Sequence, residues 1–188
     1  LEWRGDIPIN ADGFNDVDRM ILAQLSYFNL DRIVPEFGSF ISIGDALKRS
    51  QALRSASFDY SNDEKLAEKL PETIRFKNLP LTGFEVRFNP EKGEQFAAMM
   101  VLLPDRTAAC VFRGTDSSLV GWRENFNMAL SDELPAQLDA VAYLSKLAKF
   151  YRGAIRSVGH SKGGNLAVYA PAFAKSSVSR KVIEAVSL

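Results

Sequence analysis

The chain has 188 residues, 46% of them apolar, which is enough for one sizeable core and, at this length, one domain. Its 23 basic and 23 acidic residues sum to a formal charge of zero, removing the electrostatic argument for nucleic acid and for strongly charged substrates. No apolar stretch reaches the length of a membrane span, no signal-peptide pattern opens the chain, and the one cysteine, Cys110, has no internal partner, which together fit a reducing, cytoplasmic compartment.

Residues 1–13 read as an irregular lead-in. A helix is predicted over 15–30, with Val17, Met20, Ile21, Gln24, Leu25 and Phe28 near one face and Asn15 as cap, Asp18 standing three residues on. A second helix is predicted over 42–56, and a short charged one over 63–70, capped by Asn62 and stopped by Pro71. The period then changes. Phe84, Val86 and Phe88 alternate with Glu85 and Arg87 as in a half-buried strand, and 89–93 makes a hairpin-type connection. Strands follow over 95–103 and 107–112, joined by a turn at 104–106 and including the buried-looking Cys110. The remaining order is helix (about 119–130), long helix (about 133–150), strand (154–158), turn, helix (162–174) and strand (181–187). Antiparallel strands leading into alternating strands and helices predict an α/β sandwich, a mixed central sheet flanked by helices, with 1–79 as a mostly helical N-terminal region of the same domain. The sequence begins at Leu1 and stops at Leu188 inside an apolar, strand-like run, so its C-terminal part is expected to continue in a longer protein.

The most informative run is Gly159-His160-Ser161-Lys162-Gly163-Gly164-Asn165, which has the form G-x-S-x-G. An apolar strand precedes it and a helix-like segment follows, the setting in which a serine is held at a strained elbow. Such a turn lifts Oγ clear of the sheet and aims the amides of the helix N-terminus at an oxyanion forming beside it. The plainer reading is a glycine-rich turn with an incidental serine. Gly163, Gly164 and Ala167 on the packing side argue against it.

A hydrolase using Ser161 needs a second oxyanion donor besides the amide of Lys162, normally from a loop after an earlier central strand. Arg113-Gly114-Thr115-Asp116 follows the strand ending at Phe112, with Trp122, Asn125 and Phe126 beyond. Gly114 allows close backbone approach, and Thr115 carries both an amide and a hydroxyl. The same stretch also reads as a strand end followed by a helix cap at Asp116 or Ser117. The two readings are compatible.

Val111-Phe112-Arg113-Gly114-Thr115 followed by the segment bearing Trp122, then Gly159-His160-Ser161-Lys162-Gly163-Gly164, resembles the class 3 lipases of the α/β-hydrolase superfamily. It is closer still to a bacterial group of uncharacterised lipase-like proteins whose elbow reads G-H-S-K-G-G-N. The resemblance covers residues 80–188. It implies an α/β-hydrolase fold, a Ser–Asp–His triad built on Ser161, oxyanion donors at Thr115 and Lys162, a small acyl-ester or lipid substrate, and no cofactor or metal. The segment matching Ser117 to Phe126 would be a lid. Lys162 stands where the lipases usually carry leucine, and implies either a polar or anionic acyl group or a structural ion pair.

A serine hydroxyl needs a base, normally a histidine oriented by a carboxylate. The only histidine is His160, beside the serine, where adjacent side chains point apart; in the resembling families it packs under the elbow. Asp116, Asp132 and Asp139 all precede Ser161, whereas this fold supplies its triad in the order serine, acid, histidine. Two readings follow. Either acid and histidine lie beyond residue 188 and the protein is a serine hydrolase of carboxylic esters, or it is a non-catalytic, hydrolase-like interaction protein without a triad.

Overall fold

The computed structural model describes residues 1, 4–50, 60–91, 93–115 and 133–188. Its elements in chain order are α1 (Ile9–Asp12), α2 (Asp16–Leu25), β1 (Ile41–Ser42), α3 (Ile43–Ser50), α4 (Tyr60–Lys69), β2 (Pro80–Asn89), β3 (Glu94–Leu102), β4 (Ala108–Phe112), α5 (Pro135–Phe150), β5 (Ile155–Gly159), α6 (Lys162–Phe173), α7 (Ser176–Ser179) and β6 (Val182–Ser187). The strands form one mixed sheet in sequence order, β1 to β6. β1 to β4 are antiparallel neighbours, whereas β4–β5 and β5–β6 pair in parallel.

Period two decides where the core sits. On β3 and β4, Phe96, Ala98, Met100, Ala108, Cys110 and Phe112 face α5 and α6. Met99, Val101, Ala109 and Val111 face the other way, onto Leu22, Leu25, Phe28, Ile43 and Leu47 of the N-terminal region. Both faces of the central strands are therefore covered, which is why they read as unbroken apolar runs. Burial also pushes the Cys110 thiol pKa upward, leaving it a small inert hydrophobe.

Several elements differ from the sequence expectation. The helix predicted over 15–30 starts as expected, with a reciprocal capping box between Asn15 and Asp18, but ends at Leu25. There the Ser26 hydroxyl turns back to donate to the Ala23 carbonyl. The lead-in contains α1, preceded by Pro8. Helix 42–56 is observed as Ile43–Ser50 behind the two-residue β1, and its predicted remainder lies outside the described residues. α4 begins at Tyr60, so Asn62 lies inside it and is not its cap; Pro71 falls in a 3-10 turn, Leu70–Glu72. Between the predicted helix 162–174 and strand 181–187, Ser176–Ser179 forms α7.

In the strand predicted around 84–88, Phe84 packs on the core as expected, but Val86 and Phe88 do not. Gly83, at φ 66°, bulges β2, and the register against β3 shifts between Thr82 and Glu85. Past the bulge Glu85 and Arg87 reach α5, where Lys146 and Asp139 ion-pair with them. Val86 and Phe88 consequently face solvent.

Candidate functional site

The two motif-bearing loops leave the same edge of the sheet. β4 and β5 are parallel neighbours, with Phe112 opposite Gly159, so residues 113–115 and the turn at 160–161 emerge side by side at the carboxyl ends of the strands. In open α/β sheets this is where ligand crevices form.

The turn itself is tight. Ser161 has φ 58° and ψ −126°, a conformation that costs a residue with a β-carbon about 1–3 kcal/mol. It is exposed, while Gly159 before it and Lys162, Gly163 and Gly164 after it are buried. Its amide donates to the Leu188 carbonyl (3.0 Å), and the Leu188 amide donates to the Gly159 carbonyl (3.0 Å), so the end of β6 laces the turn in place. Ser157 of β5 adds a bond from its hydroxyl to the Ala167 carbonyl of α6 (2.7 Å).

Glycines permit this approach. A β-carbon on Gly159 would lie 2.0 Å from the Gly163 carbonyl oxygen, and one on Gly163 would lie 2.3 Å from the Phe112 carbonyl oxygen. A β-carbon on Gly114 would meet the Tyr27 hydroxyl at 2.2 Å and the His160 carbonyl oxygen at 2.5 Å. Gly114, Gly159 and Gly163 thus let the loop after β4, the end of β5 and the first turn of α6 pack main chain on main chain.

Thr115 follows directly. Its Oγ1 is buried from solvent and has no hydrogen-bond partner among the described residues. Buried hydroxyls are nearly always bonded, so this one, on the loop next to the elbow, is a donor without an acceptor among the described residues. Lys162 is the first residue of α6, where main-chain amides point out past the helix end. Its side chain runs the other way: it is 1% exposed, and Nζ donates to the main-chain (2.5 Å) and side-chain (2.7 Å) oxygens of Gln95 on β3. That placement removes the ammonium from contact with any acyl group at Ser161, so the expectation of a substrate-selecting cation is corrected.

His160 is half-buried and its ring makes no hydrogen bond among the described residues, so it is less deeply packed than expected. Asp139, weighed as a base, sits on α5 and ion-pairs with Arg87 of β2, three strands away from β5. Asp116, Ser117, Trp122, Asn125, Phe126 and Asp132 lie outside the described residues, as do the predicted helix 119–130 and the lid. Sequence reasoning missed Tyr27 and the Gln95 partner of Lys162. Tyr27 carries no signal beyond its place near an apolar helix, and Gln95 none beyond a polar residue in an apolar strand. Among the described residues no helix is long and apolar enough to cross a membrane.

A family model described as Mbeg1-like matches residues 70–188. No curated protein and no solved structure matches the chain. These findings correct the resemblance drawn from the motifs: the family is Mbeg1-like, not the class 3 lipases, and the match begins at residue 70, ahead of the F-R-G-T strand.

Proposed function

The chain belongs to the Mbeg1-like family, and from that premise we propose that it is a lipase-like serine hydrolase that cleaves carboxylic esters through an acyl-enzyme on Ser161. The observation that carries this reading is a strained, exposed Ser161 and a buried Thr115 hydroxyl, unpartnered among the described residues, on loops that leave the neighbouring parallel strands β5 and β4. Strain of this kind persists only where surrounding structure fixes it, and it clusters at functional sites.

In the proposed sequence, Ser161 Oγ attacks the ester carbonyl and its proton passes to a base. The carbonyl oxygen becomes an oxyanion held by the Lys162 amide and by the amide or hydroxyl of Thr115. Collapse expels the alcohol, which takes up the proton, and water then hydrolyses the acyl-enzyme by the reverse pattern. His160 is the one histidine of the sequence and is adjacent to Ser161 on a turn that splays neighbouring side chains. We therefore assign the base, and the carboxylate that orients it, to residues outside 1–188. Gly114, Gly159 and Gly163 act by allowing the approach of the loops.

The test is turnover of a short activated ester, p-nitrophenyl butyrate, by the natural protein. Hydrolysis abolished by Ser161→Ala supports the reading. Hydrolysis that survives Ser161→Ala, or its complete absence from the natural protein, overturns it and favours the non-catalytic interaction protein.

A further inference from the structure

We propose that Tyr27 is a positioning residue of the Ser161 site, holding the loop 113–115 against the elbow from the N-terminal region. This rests on the reading of Ser161 and Thr115 just given. Tyr27 lies outside the matched span of 70–188, so the inference also makes the N-terminal region a working part of the site rather than an appendage to it.

The local chain fixes where this tyrosine goes. Past the end of α2 the amides of Ser26, Tyr27 and Phe28 still bond back, to Ala23, Gln24 and Leu25 at 3.1–3.2 Å. Phe28 is sunk in the core beside Leu25 and Leu30. With both neighbours anchored, Tyr27 has little freedom, and it is only 5% exposed. α2 itself packs on β4 and β5, the two strands that carry the loops.

Two other pieces of chain converge on Gly114. The point a β-carbon there would occupy is 2.2 Å from the Tyr27 hydroxyl, 3.3 Å from its ring carbon Cζ and 2.5 Å from the His160 carbonyl oxygen. The phenol tip and the elbow main chain therefore both close on the β-carbon side of Gly114. A buried tyrosine presents an apolar body with a polar tip, and here the tip closes on the main chain next to Thr115. Donors to an oxyanion act only when held within a few tenths of an ångström, and residues that lock them are as necessary as the donors. Without the hydroxyl, the loop gains room to move away from the elbow, and Thr115 moves with it.

The experiment compares Tyr27→Phe, which keeps the ring, with the natural protein in two measurements. The first is amide hydrogen exchange of the peptide spanning 110–116, which needs no catalysis. The second is steady-state hydrolysis of p-nitrophenyl butyrate, with Ser161→Ala as control. We expect faster exchange in that peptide, kcat lower by about tenfold (~1.4 kcal/mol), KM within about twofold and little change in Tm. Gly114→Ala, whose methyl would meet phenol and carbonyl together, is expected to give the same pattern more strongly. Unchanged exchange overturns the positioning claim whatever Ser161 does. Faster exchange with unchanged kcat overturns its link to the site, and so does a lower Tm with unchanged kcat. Turnover surviving Ser161→Ala instead overturns the reading of Ser161, and the exchange measurement alone then decides the role of Tyr27.

Discussion

Gly163→Ala is the substitution whose consequence can be worked most directly from the packing. The added β-carbon would lie 2.3 Å from the Phe112 carbonyl oxygen and 2.9 Å from both the Arg113 carbonyl carbon and the Gly114 nitrogen. All three are main-chain atoms of the β4 end, so no side chain can rotate aside. Ordinary contact begins near 3.4 Å, so α6 and the end of β4 must part by about 1.1 Å. That displacement separates Ser161 and the Lys162 amide from the loop holding Thr115. Oxyanion contacts work at about 2.7–3.1 Å, and a misplacement of about 1 Å costs on the order of a hundredfold in rate. Overpacking of this kind destabilises by about 1–3 kcal/mol, which leaves a well-packed domain folded. The assay is ester turnover alongside thermal unfolding, with Gly164→Ala for comparison. The β-carbon of the latter meets Ser187, nearest at its hydroxyl (2.2 Å), with Cβ and Cα at 3.0 and 3.1 Å, so part of its clash is relieved by rotation. Gly163→Ala with turnover equal to the natural protein would refute the claim that this contact sets the site geometry.

Three further outcomes are expected. Thr115→Val should lower turnover about a hundredfold if the hydroxyl is the donor, while leaving stability unchanged or raised, because the hydroxyl it removes is buried without a partner among the described residues; urea unfolding beside ester kinetics checks both halves, and a marked loss of stability would contradict the second. Lys162→Met should destabilise by about 1–3 kcal/mol through the lost bonds to Gln95 but keep most of the turnover, since the amide remains; loss of turnover in a folded protein would return the side chain to the mechanism. Burial raises the Asp105 carboxyl pKa, but bonds from Thr107 and Arg156 outweigh it and hold the value below the ordinary 3.8. A depressed carboxylate stabilises the fold above its unfolded pKa and loses that contribution as pH falls through the folded value. The stability gap between the natural protein and Asp105→Asn should therefore hold from neutral pH to about 4, stay under about 1 kcal/mol because the side chain is 41% exposed, and narrow below it. A gap that widens in acid would contradict this.

The elbow was legible because its chemistry is written in residue types that local geometry demands. A strand end, a positive-φ serine and main-chain contacts at Gly159 and Gly163 leave little choice but glycine at those positions. The same holds for β3 and β4, whose apolar runs follow from burial on both faces. Reading failed where distant parts decide. The bulge at Gly83 turned Glu85 and Arg87 toward α5, and no local pattern announces that α5 carries Asp139 and Lys146 there. Lys162 left two readings open, a substrate-facing cation or a structural ion pair, because its anchor, Gln95, is 67 residues away. Tyr27 was missed because the points it closes on, Gly114 after β4 and the elbow, are far from it in the chain.

The central claim is that Ser161 is a nucleophile, and the most direct measurement is mass spectrometry of the natural protein after treatment with a fluorophosphonate. The account predicts one adduct per chain, carried by the peptide that contains Ser161 and lost in Ser161→Ala. An adduct that persists in Ser161→Ala, or a natural protein that takes up none, would contradict it.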